Sequence, residues 1–184
     1  MDDLKREKEK GFDMEYISDV LDQRRDLKGK YYTPGFGLSA QLFSCMAKHI
    51  VNKLGAEQGE KLIKDAVEEF GLERGKQIAE KVKALGKPLS FKNWLIYSDI
   101  DTINFKPISS IENGDFIAKI KKCTFFNAAA EWGLEEYSKM YCNYVDYKIL
   151  EGYNPDIKLV LNQRQDMGTN RCVFRYIMKE ENKK

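Results

Sequence analysis

Cys123 follows the strand-like stretch 116–121 and opens a helix-like stretch from Thr124, with Lys121 and Lys122 immediately before it. Backbone N–H groups at a helix start and nearby ammonium groups both favour a thiolate, so a cysteine placed there is a candidate nucleophile. The plainer reading is a small buried hydrophobe, the commonest fate of a free cysteine. Cys142 and Asp146 stand four apart in a helix-like stretch, which would put thiol and carboxylate on one face. A carboxylate raises the pKa of a neighbouring thiol. The pair therefore suits Asp146 as a base or water-orienting group, with Cys142 as a proton-transfer partner, better than an activated Cys142. The alternative is an aspartate on a solvated helix face.

The single histidine, His49, removes whole enzyme classes, since any triad must use it and a multi-histidine metal site is excluded. It lies beside the apolar stripe of a helix-like stretch, where a satisfied structural histidine is the expected reading. Thiolates of Cys123, Cys142 and Cys172 with a carboxylate would suit a soft ion, but the long spacings do not indicate a metal, and the cofactor is unknown. Around these groups stand candidate substrate-binding residues. Trp132 precedes Gly133 inside a helix-like stretch, where a glycine admits close approach of a ligand or, more commonly, of another helix. Tyr153 and Asn154, in the turn Gly152-Tyr153-Asn154-Pro155, would present a hydroxyl and an amide at a pocket rim. Arg171 and Arg175 would hold a substrate carboxylate bidentately. The glycines at 55, 59, 71 and 75 are too loosely spaced for a dinucleotide or phosphate-loop fingerprint.

These residues must be positioned by elements that the apolar periodicity sketches. Residues 12–21 carry apolar positions three and four apart, a short amphipathic helix in what reads as a peripheral arm. The run Tyr31-Tyr32-Thr33-Pro34-Gly35-Phe36-Gly37 forbids a regular element and either lines a pocket or covers the core. Leu42, Phe43, Met46, Ile50 and Leu54 mark a helix over 38–54, with Ser39 as its cap and Gly55 as its stop. Further periodic runs reach Gly71 and then Gly86, as two helices or one bent at Gly71. After Pro88, residues 102–108 and 116–121 alternate with period two across Glu112-Asn113-Gly114-Asp115 as a hairpin. Helix dominates from Thr124 to Gly152, and a second hairpin joins 157–163 to 172–178. The pattern is α+β: an antiparallel sheet of about four strands, two hairpins, packed against a helical layer. Residues 1–37 form an N-terminal arm and loop, and 38–184 a single domain.

Composition narrows the partners. A chain of 184 residues with 42% hydrophobic residues is one domain with one sizeable core. The net charge of +2 gives no electrostatic case for nucleic acid, and no apolar run is long enough for a membrane span or a signal segment. A soluble, cytoplasmic protein acting on a small molecule is expected, with a homo-oligomer left open. The four cysteines include no C-x-x-C pair and should be thiols.

Taken together, Leu54-Gly55, Gly59, Gly71, Arg74-Gly75, Cys123, Gly133, Tyr141-Cys142, Asp146, Gly152-Tyr153-Asn154-Pro155, Gly168 and Cys172-Val173-Phe174 resemble the L-2-amino-thiazoline-4-carboxylic acid hydrolase family over about residues 38–178. The Gly168-x-x-x-Cys172-x-Phe174 ending is also distantly similar to vinyl-reductase-type small-molecule-binding domains. The chain departs from the expected pattern at Thr124, in place of proline, and at Thr169, in place of aspartate. The resemblance implies a hydrolase opening a C–N bond in a small cyclic amidine. Cys123 or a water held by Asp146 would attack, Asp146 or Cys142 would move the proton, and Arg171 or Arg175 would clamp the carboxylate. Two other readings stand beside it. One is a noncatalytic domain that senses or carries a hydrophobic small molecule, for which the abundance of aromatic residues speaks. The other is an oligomerising interaction domain whose cysteines are core.

Overall fold

The Glu112-Asn113-Gly114-Asp115 stretch makes the expected hairpin turn in the computed structural model, which describes residues 2–27, 35–163 and 172–178. Asn113 and Gly114 both take positive φ, 55° and 87°, the combination a two-residue type I′ turn demands and an Asn-Gly pair tolerates best. The turn joins β1 (Pro107–Glu112) to β2 (Asp115–Ile120). A second antiparallel pair unites β3 (Lys158–Gln163) and β4 (Val173–Ile177). β2 and β4 meet with Phe116 opposite Tyr176, so the order is β1-β2-β4-β3, antiparallel throughout. With helices packed against this four-stranded sheet, the fold is α+β, as the patterning implies.

The first strand starts later than its alternation suggests. The Asp101 carboxylate accepts from the Ile103 N–H at 3.0 Å and caps a single 3-10 turn over Thr102–Asn104, so the alternating side chains there never join the sheet. The helical layer departs more. α3 (Phe36–Leu54) begins at Gly35 rather than Ser39, whose hydroxyl instead donates back to the Gly35 carbonyl at 3.1 Å. α4 (Ala56–Ala84) runs unbroken through Gly71 and Gly75. These glycines face α8 (Val145–Tyr153): a Cβ on Gly75 would stand 2.1 Å from the Ile149 carbonyl oxygen, and one on Gly152 2.2 Å from that of Leu72. Close packing of two backbones offsets the roughly 1 kcal/mol that each helical glycine costs.

The helical stretch after Cys123 divides into three: α6 (Thr124–Glu131), α7 (Glu135–Cys142) and α8. Gly133 ends α6 rather than admitting a neighbour. Its φ is 66°, its N–H donates to Ala130 at 3.0 Å and that of Leu134 to Ala129 at 2.9 Å, and nothing lies within 4 Å of the place a Cβ would take. This is the Schellman pattern of helix ends, completed by the buried Leu134. α5 (Phe91–Tyr97) is an element the apolar pattern does not announce, capped by Ser90 through the Asn93 N–H at 3.2 Å.

The N-terminal segment belongs to the core rather than lying peripheral to it. α1 (Asp3–Lys10) and α2 (Met14–Asp26) flank Phe12, whose ring centroid lies 4.7 Å from that of Phe91 and 6.4 Å from that of Phe116. Ile17 and Val20 are buried in the same cluster, together with Val67, Ile149 and Tyr176.

Candidate functional site

α3 and α4 are joined by the single residue Gly55 and touch closely beyond it, where a Cβ on Gly59 would stand 2.8 Å from the Val51 Cα. Farther along they enclose a cavity of about 370 Å³. Phe36, Phe43, Met46 and Ile50 line it from α3, Leu62, Val67 and Phe70 from α4, with Phe125 and Tyr141 from α6 and α7. The aromatic side is built by stacking: the Phe125 and Tyr141 rings lie 4.4 Å apart at 20°, and Phe43 meets Tyr141 edge-on at 5.4 Å. Such pairs prefer offset or edge geometry and hold a rigid wall.

One end of this apolar cavity is polar. Arg74 on α4 makes a forked contact with Asp99, Nε donating to both carboxylate oxygens at 2.9 and 3.1 Å and one terminal nitrogen donating at 2.5 Å. Both side chains are largely shielded from solvent. Burial works against the Arg74 charge, but the Asp99 hydrogen bonds, reinforced by Tyr141, Asp99 and Asp146, outweigh it and hold the guanidinium above its ordinary value. Burial pushes the Tyr141 hydroxyl well above the ordinary phenol range; Arg74 opposes this, and Asp146, Cys142 and Asp99 add to it. Tyr141 therefore keeps its proton and offers a neutral donor beside a fixed cation.

The expected site residues are placed unequally around this end. Cys142 closes α7 and Asp146 lies in the first turn of α8, so they do not share one helix face; the chain breaks at Asn143 and Tyr144 between them. Both act electrostatically on Tyr141, and Asp146 on Arg74 as well, but neither is among the residues lining the cavity. Cys123 is half-buried and caps α6, its sulfur accepting from the Phe126 N–H at 3.5 Å. It is not among the residues lining the cavity, although Phe125, two positions on, is.

Trp132 sits at the end of α6, 58% exposed, outside the cavity. Tyr153 and Asn154 form a buried latch rather than a rim: the Tyr153 hydroxyl donates to the Ser90 carbonyl at 2.8 Å and the Asn154 amide to that of Leu89 at 2.8 Å. The Asn154 side-chain oxygen also accepts from the Asp156 N–H at 2.9 Å. Arg175, on β4, is engaged by the buried Asp115, to which its Nε donates at 2.6 Å. Arg171 and the Gly168-Thr169 turn lie outside the described residues. His49 is exposed on α3 rather than held in the core. Among the described residues, no group of three or more His, Cys, Asp or Glu side chains is placed to hold a metal ion.

Asp99 is not among the residues singled out from the sequence, and Arg74 and Tyr141 enter there only as parts of a motif. A signal exists for Arg74. It stands three after Gly71 and four before Ile78, on the buried face of α4, where a charge needs a partner. Asp99 carries no comparable mark, because its partner is supplied from another element.

A family model described as L-2-amino-thiazoline-4-carboxylic acid hydrolase matches residues 35–176, a span that holds the whole cavity and all the placed candidates. No match was found among curated proteins or among solved structures.

Proposed function

Because the chain belongs to the L-2-amino-thiazoline-4-carboxylic acid hydrolase family, we propose that the α3–α4 cavity is a hydrolase site that opens a C–N bond in a small cyclic amidine bearing a carboxylate. The observation that carries this reading is the largely shielded Arg74–Asp99 pair with Tyr141 at one end of an otherwise apolar cavity. A charged guanidinium whose geometry is fixed by a forked partner is preorganised to receive a carboxylate on its remaining N–H groups. Tyr141, protonated, adds a neutral donor beside it for the same carboxylate.

In this reading Asp146 takes a proton from water as its oxygen attacks the amidine carbon. The C–N bond then breaks as Asp146, or Cys142 in its place, returns the proton to the leaving nitrogen. Cys123 stands as the alternative nucleophile, supported by its place at the start of α6.

The test is turnover of 2-aminothiazoline-4-carboxylate by the full chain, followed as ring opening. Asp146→Asn is expected to lower kcat about 100-fold or more, the usual loss for a general base. Arg74→Lys should raise KM chiefly, while Cys123→Ala should retain turnover. Loss of activity in Cys123→Ala together with a trapped covalent adduct would transfer the attack to that thiol. Failure of the wild type to open the ring, with or without added divalent metal, would remove the catalytic reading. The apolar lining of the cavity favours a second reading, a noncatalytic ligand-binding domain. Saturable binding of the thiazoline without any turnover would select it.

A further inference from the structure

The cavity is longer and more apolar than a bare heterocyclic carboxylate can use. Its α4 wall extends from Leu62 to Arg74, about 18 Å at the helical rise of about 1.5 Å per residue. A volume of about 370 Å³ falls in the range, roughly 300 Å³ upward, that accommodates drug-sized rather than fragment-sized ligands. Polar character is confined to one end. A single small ring with its carboxylate at Arg74 would leave the Leu62 and Ile50 end unfilled, so the lining there would lack the dispersion attraction that a filled groove supplies. The far end is nearly all hydrocarbon, and Met46, Leu62 and Phe70, each about half exposed, form an apolar mouth.

We infer that the ligand of this cavity is an elongated amphiphile, a carboxylate carrying an alkyl or aralkyl tail, with its head at Arg74 and Tyr141 and its tail along the α3–α4 groove. The inference rests on the reading of this cavity as the substrate site and narrows it, since the substrate's carboxylate then carries an apolar extension that the bare thiazoline lacks. The head is assigned by the donors. Among the described residues the hydrogen bonds of Arg74 use Nε and one terminal nitrogen, all to Asp99, which leaves the second terminal nitrogen for an acceptor beside the Tyr141 hydroxyl. The tail is assigned by the lining, because an apolar groove rewards burial of methylene groups and penalises any polar group without a partner.

Calorimetric titration of the full chain with butanoate, hexanoate, octanoate and decanoate, each below its micelle concentration, tests this. Affinity should rise about fourfold per methylene until the groove is filled. Ala66→Trp, at an exposed lining position where a large side chain is tolerated, should abolish the gain for octanoate and decanoate without weakening butanoate. Arg74→Gln should weaken octanoate at least tenfold and leave octanol unchanged. A flat series, or octanoate binding untouched by Ala66→Trp, overturns the proposal, and the latter variant keeps it testable if Arg74→Gln does not fold. Chain-length dependence without thiazoline turnover removes the catalytic reading alone; thiazoline turnover with a flat series removes this inference alone.

Discussion

Glu7 has no exposed surface, and its carboxylate accepts from the Phe91 N–H at 2.5 Å, the Lys92 N–H at 2.7 Å and the Tyr16 hydroxyl at 3.0 Å. It thus caps α5 from another helix. Burial pushes its pKa from 4.5 up to about 7, while these hydrogen bonds pull the other way without cancelling it. An acid whose folded pKa is raised binds a proton more tightly folded than unfolded. Its contribution is therefore complete below about 4.5 and is lost as pH rises through about 7. Thermal midpoints measured across that window should fall for the wild type and change less for Glu7→Gln. Equal slopes in the two proteins would show that Glu7 is not the group responsible. Nothing local marks this residue, since it sits in the run Lys5-Arg6-Glu7-Lys8-Glu9-Lys10, which reads as a solvated, frayed start. Its partners on α5 stand more than eighty positions away, and a lone sequence carries no record of that distance.

Among the elements, the segment after α5 shows how the site depends on parts outside the cavity wall. Arg24 on α2 is buried and donates to the carbonyls of Leu95 and Ile100, the latter at 3.0 Å, and to the Ser98 hydroxyl at 2.8 Å. Between these anchors lies Asp99, the partner of Arg74. Arg24→Met should orphan these partly buried carbonyls and cost about 3 kcal/mol in denaturant unfolding, with Arg24→Lys recovering only part, because one ammonium cannot span the fork. A loss below about 0.5 kcal/mol, the size of an ordinary surface change, would show that the clamp is inert. What is legible at this scale is whatever depends on near neighbours. The Asn113-Gly114 turn announces its own geometry, and the second hairpin follows from period-two alternation on both sides of a glycine. Local rules treat Gly71 as a stop or a bend; α4 continues through it because the fold brings Val145 and Lys148 of α8 against that face. α5 is too short to show a period. Cys123 does stand at a helix start, whereas the Cys142–Asp146 helix face is broken at Asn143, and Tyr153 and Asn154 are buried fasteners for the Leu89-Ser90 stretch.

For the whole molecule, the family match and the folded unit do not begin at the same place. The match starts at residue 35, yet residues before it supply Phe12, Ile17 and Val20 to the common core, Glu7 to the start of α5 and Arg24 to the segment bearing Asp99. Phe12 contacts both Phe91 and Phe116, so α5 and β2 share its ring. Burying three such side chains contributes about 2 kcal/mol each, comparable in sum to the roughly 5–15 kcal/mol that is the whole net stability of a typical domain. Deleting residues 1–27 should therefore leave a chain without a cooperative thermal transition, even though every cavity-lining residue is retained. Circular dichroism melts of the full and truncated chains decide this. A truncated protein that melts cooperatively within a few degrees of the full one would show that the rest of the chain folds without residues 1–27, and would return the N-terminal helices to the status of an appendage.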